Sequence, residues 1–144
     1  MTPFNSLVRI SRWHLDEKRQ KLAELERLAE RLRGDLARLD EGIAAEQKLA
    51  EQDDMARRAY PTFLEAETKR RQRLEKSIAD VEAEIEAARE EVGDAFRDLK
   101  KYELAESNEQ ARVRHRRNKL EQQRTDEMGV QLYQRRHGDV KKGN

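Results

Sequence analysis

From residue 74 onward the apolar side chains fall at Leu74, Ile78, Val81, Ile85, Ala88, Val92, Ala95, Leu99 and Tyr102, with spacings that alternate four and three without a miss. That period specifies a helix burying one narrow stripe against a second helix, because an apolar residue every 3.5 positions keeps facing the same partner. An earlier stripe runs Val8, Leu15, Leu22, Ala29, Leu36, Ile43 and Ala50 at intervals of seven, with Leu25, Leu32 and Leu39 between. Two such stripes in one chain predict an all-α fold: a long two-helix antiparallel coiled-coil hairpin with a C-terminal helical overhang.

The stretch DDMARRAYPTFLEAE separates the stripes. Pro61 lacks a backbone donor and clashes with the preceding turn, and Thr62 with Glu65 has the spacing of a capping box. These signals place the turn at about 59–62. The break is too short for a flexible linker, so helix two is expected to fold back on helix one. Thr2 and Pro3 read as an N-cap followed by proline in the first helical turn. Helix one is therefore expected over about 3–58 and helix two over about 62–136, together one hairpin domain over 1–136, with a flexible tail at 137–144. With the turn near 60, residue i would face residue 120 minus i. Gly34 and Gly42 lie off the stripe and are not expected to end the helix; each is either solvent-facing or a bending point.

Composition agrees with exposed helices rather than a globular core. Only 35% of the residues are hydrophobic and 42% are charged, with 31 Lys/Arg against 30 Asp/Glu. Absence of cysteine excludes disulfides and thiolate chemistry and suits a reducing compartment. The N-terminal MTPFNSLVRISRWHL is interrupted by polar residues too often for a signal peptide, and no apolar stretch reaches the roughly 20 residues a membrane span needs.

Beyond Tyr102 the stripe decays into Glu106, Glu109, Val113, Arg116 and Leu120. Basic charge concentrates there: residues 106–144 hold ten Lys/Arg against six Asp/Glu, and RVRHRRNK, Arg112–Lys119, is the densest part. An isolated helix is marginal in water, so this segment is expected to be ordered by a partner. At the other terminus Phe4, Leu7, Val8, Ile10, Trp13 and Leu15 cover more of the helix than one stripe requires. Ile10 and Trp13 either lie over Lys and Arg stems as ordinary surface residues or form a docking surface for another protein. In an antiparallel hairpin one end would then present Ile10, Trp13, Arg112, Arg116 and Arg117, and the other Tyr60, Phe63 and Leu64.

Catalytic and metal-binding patterns are missing. His14, His115 and His137 have no ligand spacing, and no phosphate-binding loop occurs. The acidic run Glu82, Glu84, Glu86, Glu90 and Glu91 reads as a solvated face. No enzyme, cofactor or metal site is expected. RVRHRRNK is able to neutralise phosphates, but the acidic middle and a net charge of +1 weigh against nucleic acid and favour an acidic protein surface.

The segments SLVRISRWHLDEKRQKLAELERL and IEAAREEVGDAFRDLKKYELAE, with FRDLKKYE the most distinctive piece, resemble the FliJ family of flagellar export proteins, and the likeness covers most of the chain. The resemblance implies a non-catalytic stalk of the flagellar type III export apparatus. Its implied partners are the export ATPase hexamer, the cytoplasmic domain of the export gate and substrate chaperones. It also implies a soluble component peripheral to the inner membrane; the hairpin itself predicts a monomer when free, and the absence of cysteine makes a cytoplasmic location the default. On that reading Ile10, Trp13, Arg112, Arg116 and Arg117 would meet the ATPase ring, and Tyr60, Phe63 and Leu64 the gate. The stalk of a virulence injectisome and a homodimeric coiled-coil scaffold are the alternatives.

Overall fold

In a computed structural model, which describes residues 2–142 with side chains through 138, the chain forms two helices packed against each other. Helix α1 spans Asn5–Gln52 and α2 spans Asp54–Lys142. The expected helical hairpin is therefore present, and no strand occurs among the described residues. The seam positions are those read from the sequence. Val8, Leu15, Ala29, Leu39, Ala50, Val81, Ile85, Ala88 and Leu99 are buried, and the remaining stripe residues are half-buried. Burying a Val or Ile side chain contributes about 1.5–3 kcal/mol, and such a stripe is the main source of cohesion in a protein with so little other core.

The reversal is not where proline suggested. Helix α1 ends at Gln52, six residues before the expected end at 58, and the single non-helical residue between the two helices is Asp53. The physical reason is local capping. The Asp53 carboxylate accepts from the Met55 backbone N–H at 3.2 Å, which satisfies one of the free donors at the start of α2. Arg57 donates through Nε to the Ala50 carbonyl at 3.1 Å and through Nη2 to the Glu51 carbonyl at 3.3 Å, closing the end of α1. Pro61 and Thr62 lie inside α2. Pro61 deprives the Arg57 carbonyl of its helical donor, yet the helix continues because packing along the seam outweighs a local loss of about 3 kcal/mol.

Contacts divide the chain into two units, Ser11–Asp98 and Met1–Ile10 with Leu99–Asn144. Within Ser11–Asp98, Ala29, Val81 and Ile85 form a core flanked by Leu22, Leu25, Leu28 and Leu32. Ion pairs fix the register there: Asp40 with Arg71 at 2.8 Å, Arg33 with Glu82 at 2.9 Å and Lys18 with Glu91 at 3.2 Å. The residue numbers in these pairs sum to 111, 115 and 109, so the expected 120-minus-i register is displaced by about nine residues at the Asp40–Arg71 pair. A hydrogen bond from Arg71 to Asp40, together with the charges of Asp40 and Glu75, raises the Arg71 pKa above its ordinary value. The stabilisation this carries is complete at lower pH and is lost only as pH climbs through that raised value, so it is constant across the physiological range. Helix α1 runs through Gly34 and Gly42. A Cβ at Gly42 would meet nothing within 4 Å.

In the other unit, Val8 and Leu99 are the buried residues. The Thr2 hydroxyl reaches the Glu106 carboxylate at 3.4 Å, and the Asn5 N–H donates to the Thr2 carbonyl at 3.2 Å as the helix begins. From Ala111 to Gly138 every residue of α2 is exposed, which is the expected overhang. The backbone helix runs past the expected end at 136 to Lys142. Of the tail anticipated at 137–144, the last two residues lie outside the described residues.

Candidate functional site

The overhang carries the most distinctive surface. Arg112 is held by Glu109 of the preceding turn at 3.4 Å. Arg116 and Arg117, by contrast, have no ion-pair partner among the described residues, and both are exposed. With Val113, Leu120, Glu121 and Arg124 they line a shallow groove of about 360 Å³. Val113 and Leu120 are large apolar groups, 41% and 57% exposed. Arginine guanidinium groups beside uncovered aliphatic side chains form a surface that meets carboxylates through bidentate hydrogen bonds and holds them through apolar contact.

Ile10 belongs to the same unit as the overhang but does not join its arginines. The contact of Thr2 with Glu106 marks the level at which α1 runs out, and Arg116 lies ten residues further, about 15 Å along the helix. The numbers of Thr2 and Glu106 sum to 108, twelve short of the expected 120, and this displacement accounts for the separation. Trp13, in the Ser11–Asp98 unit, is 58% exposed and meets the His14 ring edge-on with centroids 5.2 Å apart. Ile10 is half exposed. Exposure of both follows from their position beside, not on, the seam that contains Val8 and Leu15.

Tyr60, Phe63 and Leu64 are half-buried rather than displayed at the turn. Tyr60 and Leu64 continue the α2 seam backwards from Leu74 at spacings of three and four, through Glu67 and Arg71. The rings of Tyr60 and Phe63 are 6.4 Å apart. At the reversal itself the exposed apolar residues are Leu49 and Met55, which were not singled out from the sequence. Had Asp53 been read as the N-cap, Met55 would have fallen at the turn.

No group of His, Asp or Glu suited to a metal ion occurs among the described residues, and no helix among them is long and apolar enough to cross a membrane. Neither an individual curated protein nor a solved structure matches the chain. The family comparison is decisive. The family described as flagellar FliJ protein matches residues 1–138, which takes in both seams, the Asp53 reversal and the basic overhang. With the match extending over nearly all of a helical hairpin of this kind, the chain belongs to the flagellar FliJ family.

Proposed function

We propose that this member of a flagellar export family is a non-catalytic stalk that engages the hexameric export ATPase through its α2 overhang. The carrying observation is that Arg116 and Arg117 project from a helix that no other part of the hairpin covers, without acidic partners of their own. An acidic surface in the ATPase ring would supply those partners and order the helix at the same time. Ile10 and Trp13 on α1 contribute apolar contact to the same ring. Tyr60, Phe63 and Leu64, on the first turns of α2, serve the cytoplasmic domain of the export gate. Export chaperones are further partners, and the protein works at the cytoplasmic face of the inner membrane without entering the bilayer.

ATP hydrolysis by the cognate ATPase, measured with the wild-type chain and with Arg116→Glu plus Arg117→Glu, tests the reading. The wild type is expected to stimulate hydrolysis and the charge-reversed chain to lose most of that stimulation. Equal stimulation by both would sink the overhang contact. Sedimentation of the free chain is expected to give the 17.0 kDa monomer, whereas a dimer would favour the scaffold alternative.

A further inference from the structure

The exposed part of α2 keeps the period of the seam after the apolar residues thin out. Continuing from Tyr102 by alternating fours and threes through Glu106 and Glu109, the seam positions are Val113, Arg116, Leu120, Gln123, Glu127 and Val130. All six are exposed, Val130 to 56%. Neither Arg116 nor Glu127 has an ion pair or a side-chain hydrogen bond among the described residues, and the same holds for Lys119 and Asp126 beside them.

These positions are their own complement when the helix is reversed. Val113 then falls opposite Val130, Arg116 opposite Glu127 and Leu120 opposite Gln123, the residue numbers summing to 243 in each case. Such layers are the geometry of an antiparallel seam, and two-fold symmetry makes each of them occur twice. On the flank of the same alignment Lys119 falls opposite Asp126, a further pair of opposite charges. Arg117 opposite Arg124 is a like-charge contact, offset by Glu121 three and four residues away on the same helix. A parallel alignment would instead set Arg116 against Arg116 and Glu127 against Glu127.

We propose that residues 113–130 of α2 form a self-recognition surface, on which the overhang of a second copy of this chain docks antiparallel. The paired Arg116 and Glu127 fix the register at some cost in stability, as charged residues at seam positions do. Few apolar layers over less than three heptads make the complex weak, with a Kd of about 0.1 mM. Pairing occupies Arg116, so it excludes engagement of the ATPase ring; that consequence rests on the stalk reading, whereas the pairing itself does not.

Sedimentation of the full chain over a range of concentrations tests the proposal. At about 10 µM the 17.0 kDa monomer is expected to prevail, and at about 1 mM most of the chain is expected to be dimeric. Arg116→Glu and Glu127→Arg, both at exposed positions, are each expected to weaken pairing about tenfold or more, since each substitution places two like-charge contacts in the symmetric pair. Arg116→Glu combined with Glu127→Arg restores opposite charges and is expected to pair within about threefold of wild type. Oxidation reads the orientation: a mixture of Val113→Cys and Val130→Cys chains is expected to give the mixed disulfide, and Val113→Cys alone none. Absence of dimer at 1 mM, single charge variants that pair as the wild type does, a double variant no better than the singles, or cross-linking of Val113→Cys to itself would each overturn the proposal. A scaffold dimer built from the two long seams would survive Arg116→Glu. Because no ATPase enters the readout, failure here and failure of ring stimulation are distinguishable.

Discussion

Arg57 donates through Nε to the carbonyl of Ala50, seven residues earlier and on the other side of the reversal, at 3.1 Å. Its Nη2 reaches the Glu51 carbonyl, while the Leu49 carbonyl accepts from the Asp53 N–H at 3.1 Å. Three of the four carbonyls orphaned at the end of α1 are thereby satisfied within a few residues. The corner is held by side-chain chemistry on both helices rather than by a conformationally special residue: no described residue has positive φ.

Asp53→Ala removes the N-cap of α2 and is expected to lower the unfolding free energy by about 1 kcal/mol. Arg57→Ala leaves two carbonyls to water and is expected to cost a similar amount, about 1 kcal/mol. Urea denaturation of each variant checks both values. A midpoint unchanged in the two would show that the corner does not depend on these bonds.

Pro61 gives a prediction of opposite sign. Within a helix interior proline is about 3 kcal/mol worse than alanine, so Pro61→Ala is expected to stabilise the hairpin by up to about that amount. Were Pro61 the turn itself, the same substitution would be neutral or destabilising. The direction of the shift in the urea midpoint decides between these positions for the reversal.

Both seams were legible because side-chain period is a property of consecutive residues, and Val81, Ile85, Ala88 and Leu99 are buried where the alternation of three and four put them. The corner was not, because Pro61 with Thr62 gave a strong local start signal while Asp53 and Arg57 act only once α1 and α2 have met. A turn at Pro61 implies a register in which Ile10 meets Arg112, whereas the contact of Thr2 with Glu106 keeps the two apart. The arginines of the overhang needed only the decay of the seam to be found.

Register has its own measurement. The chain contains no cysteine, so spin labels occupy only the positions chosen for them. Labels at Asp40→Cys with Arg71→Cys are expected to lie closer together than labels at Asp40→Cys with Asp80→Cys, the pair a turn at residue 60 would bring face to face. The two partners differ by nine residues, about 13 Å along α2. A shorter distance for the 40 and 80 pair would contradict the ion pair of Asp40 with Arg71.

Ile85 and Leu120 separate folding from recognition. Ile85 is 6% exposed and packed in the core with Ala29 and Val81, so Ile85→Ala is expected to cost about 2–5 kcal/mol through lost transfer energy and a cavity. Leu120 is 57% exposed on the overhang, and Leu120→Ala is expected to leave the unfolding midpoint within about 0.5 kcal/mol of wild type. The same Leu120→Ala chain is expected to bind the export ATPase more weakly, because an uncovered leucine beside Arg116 and Arg117 gains its burial only in a complex. Parallel urea denaturation and ATPase-binding titrations read the two effects independently. A Leu120→Ala chain that unfolds early would make the overhang part of the hairpin's own core; one that folds and binds as the wild type does would remove Leu120 from the contact.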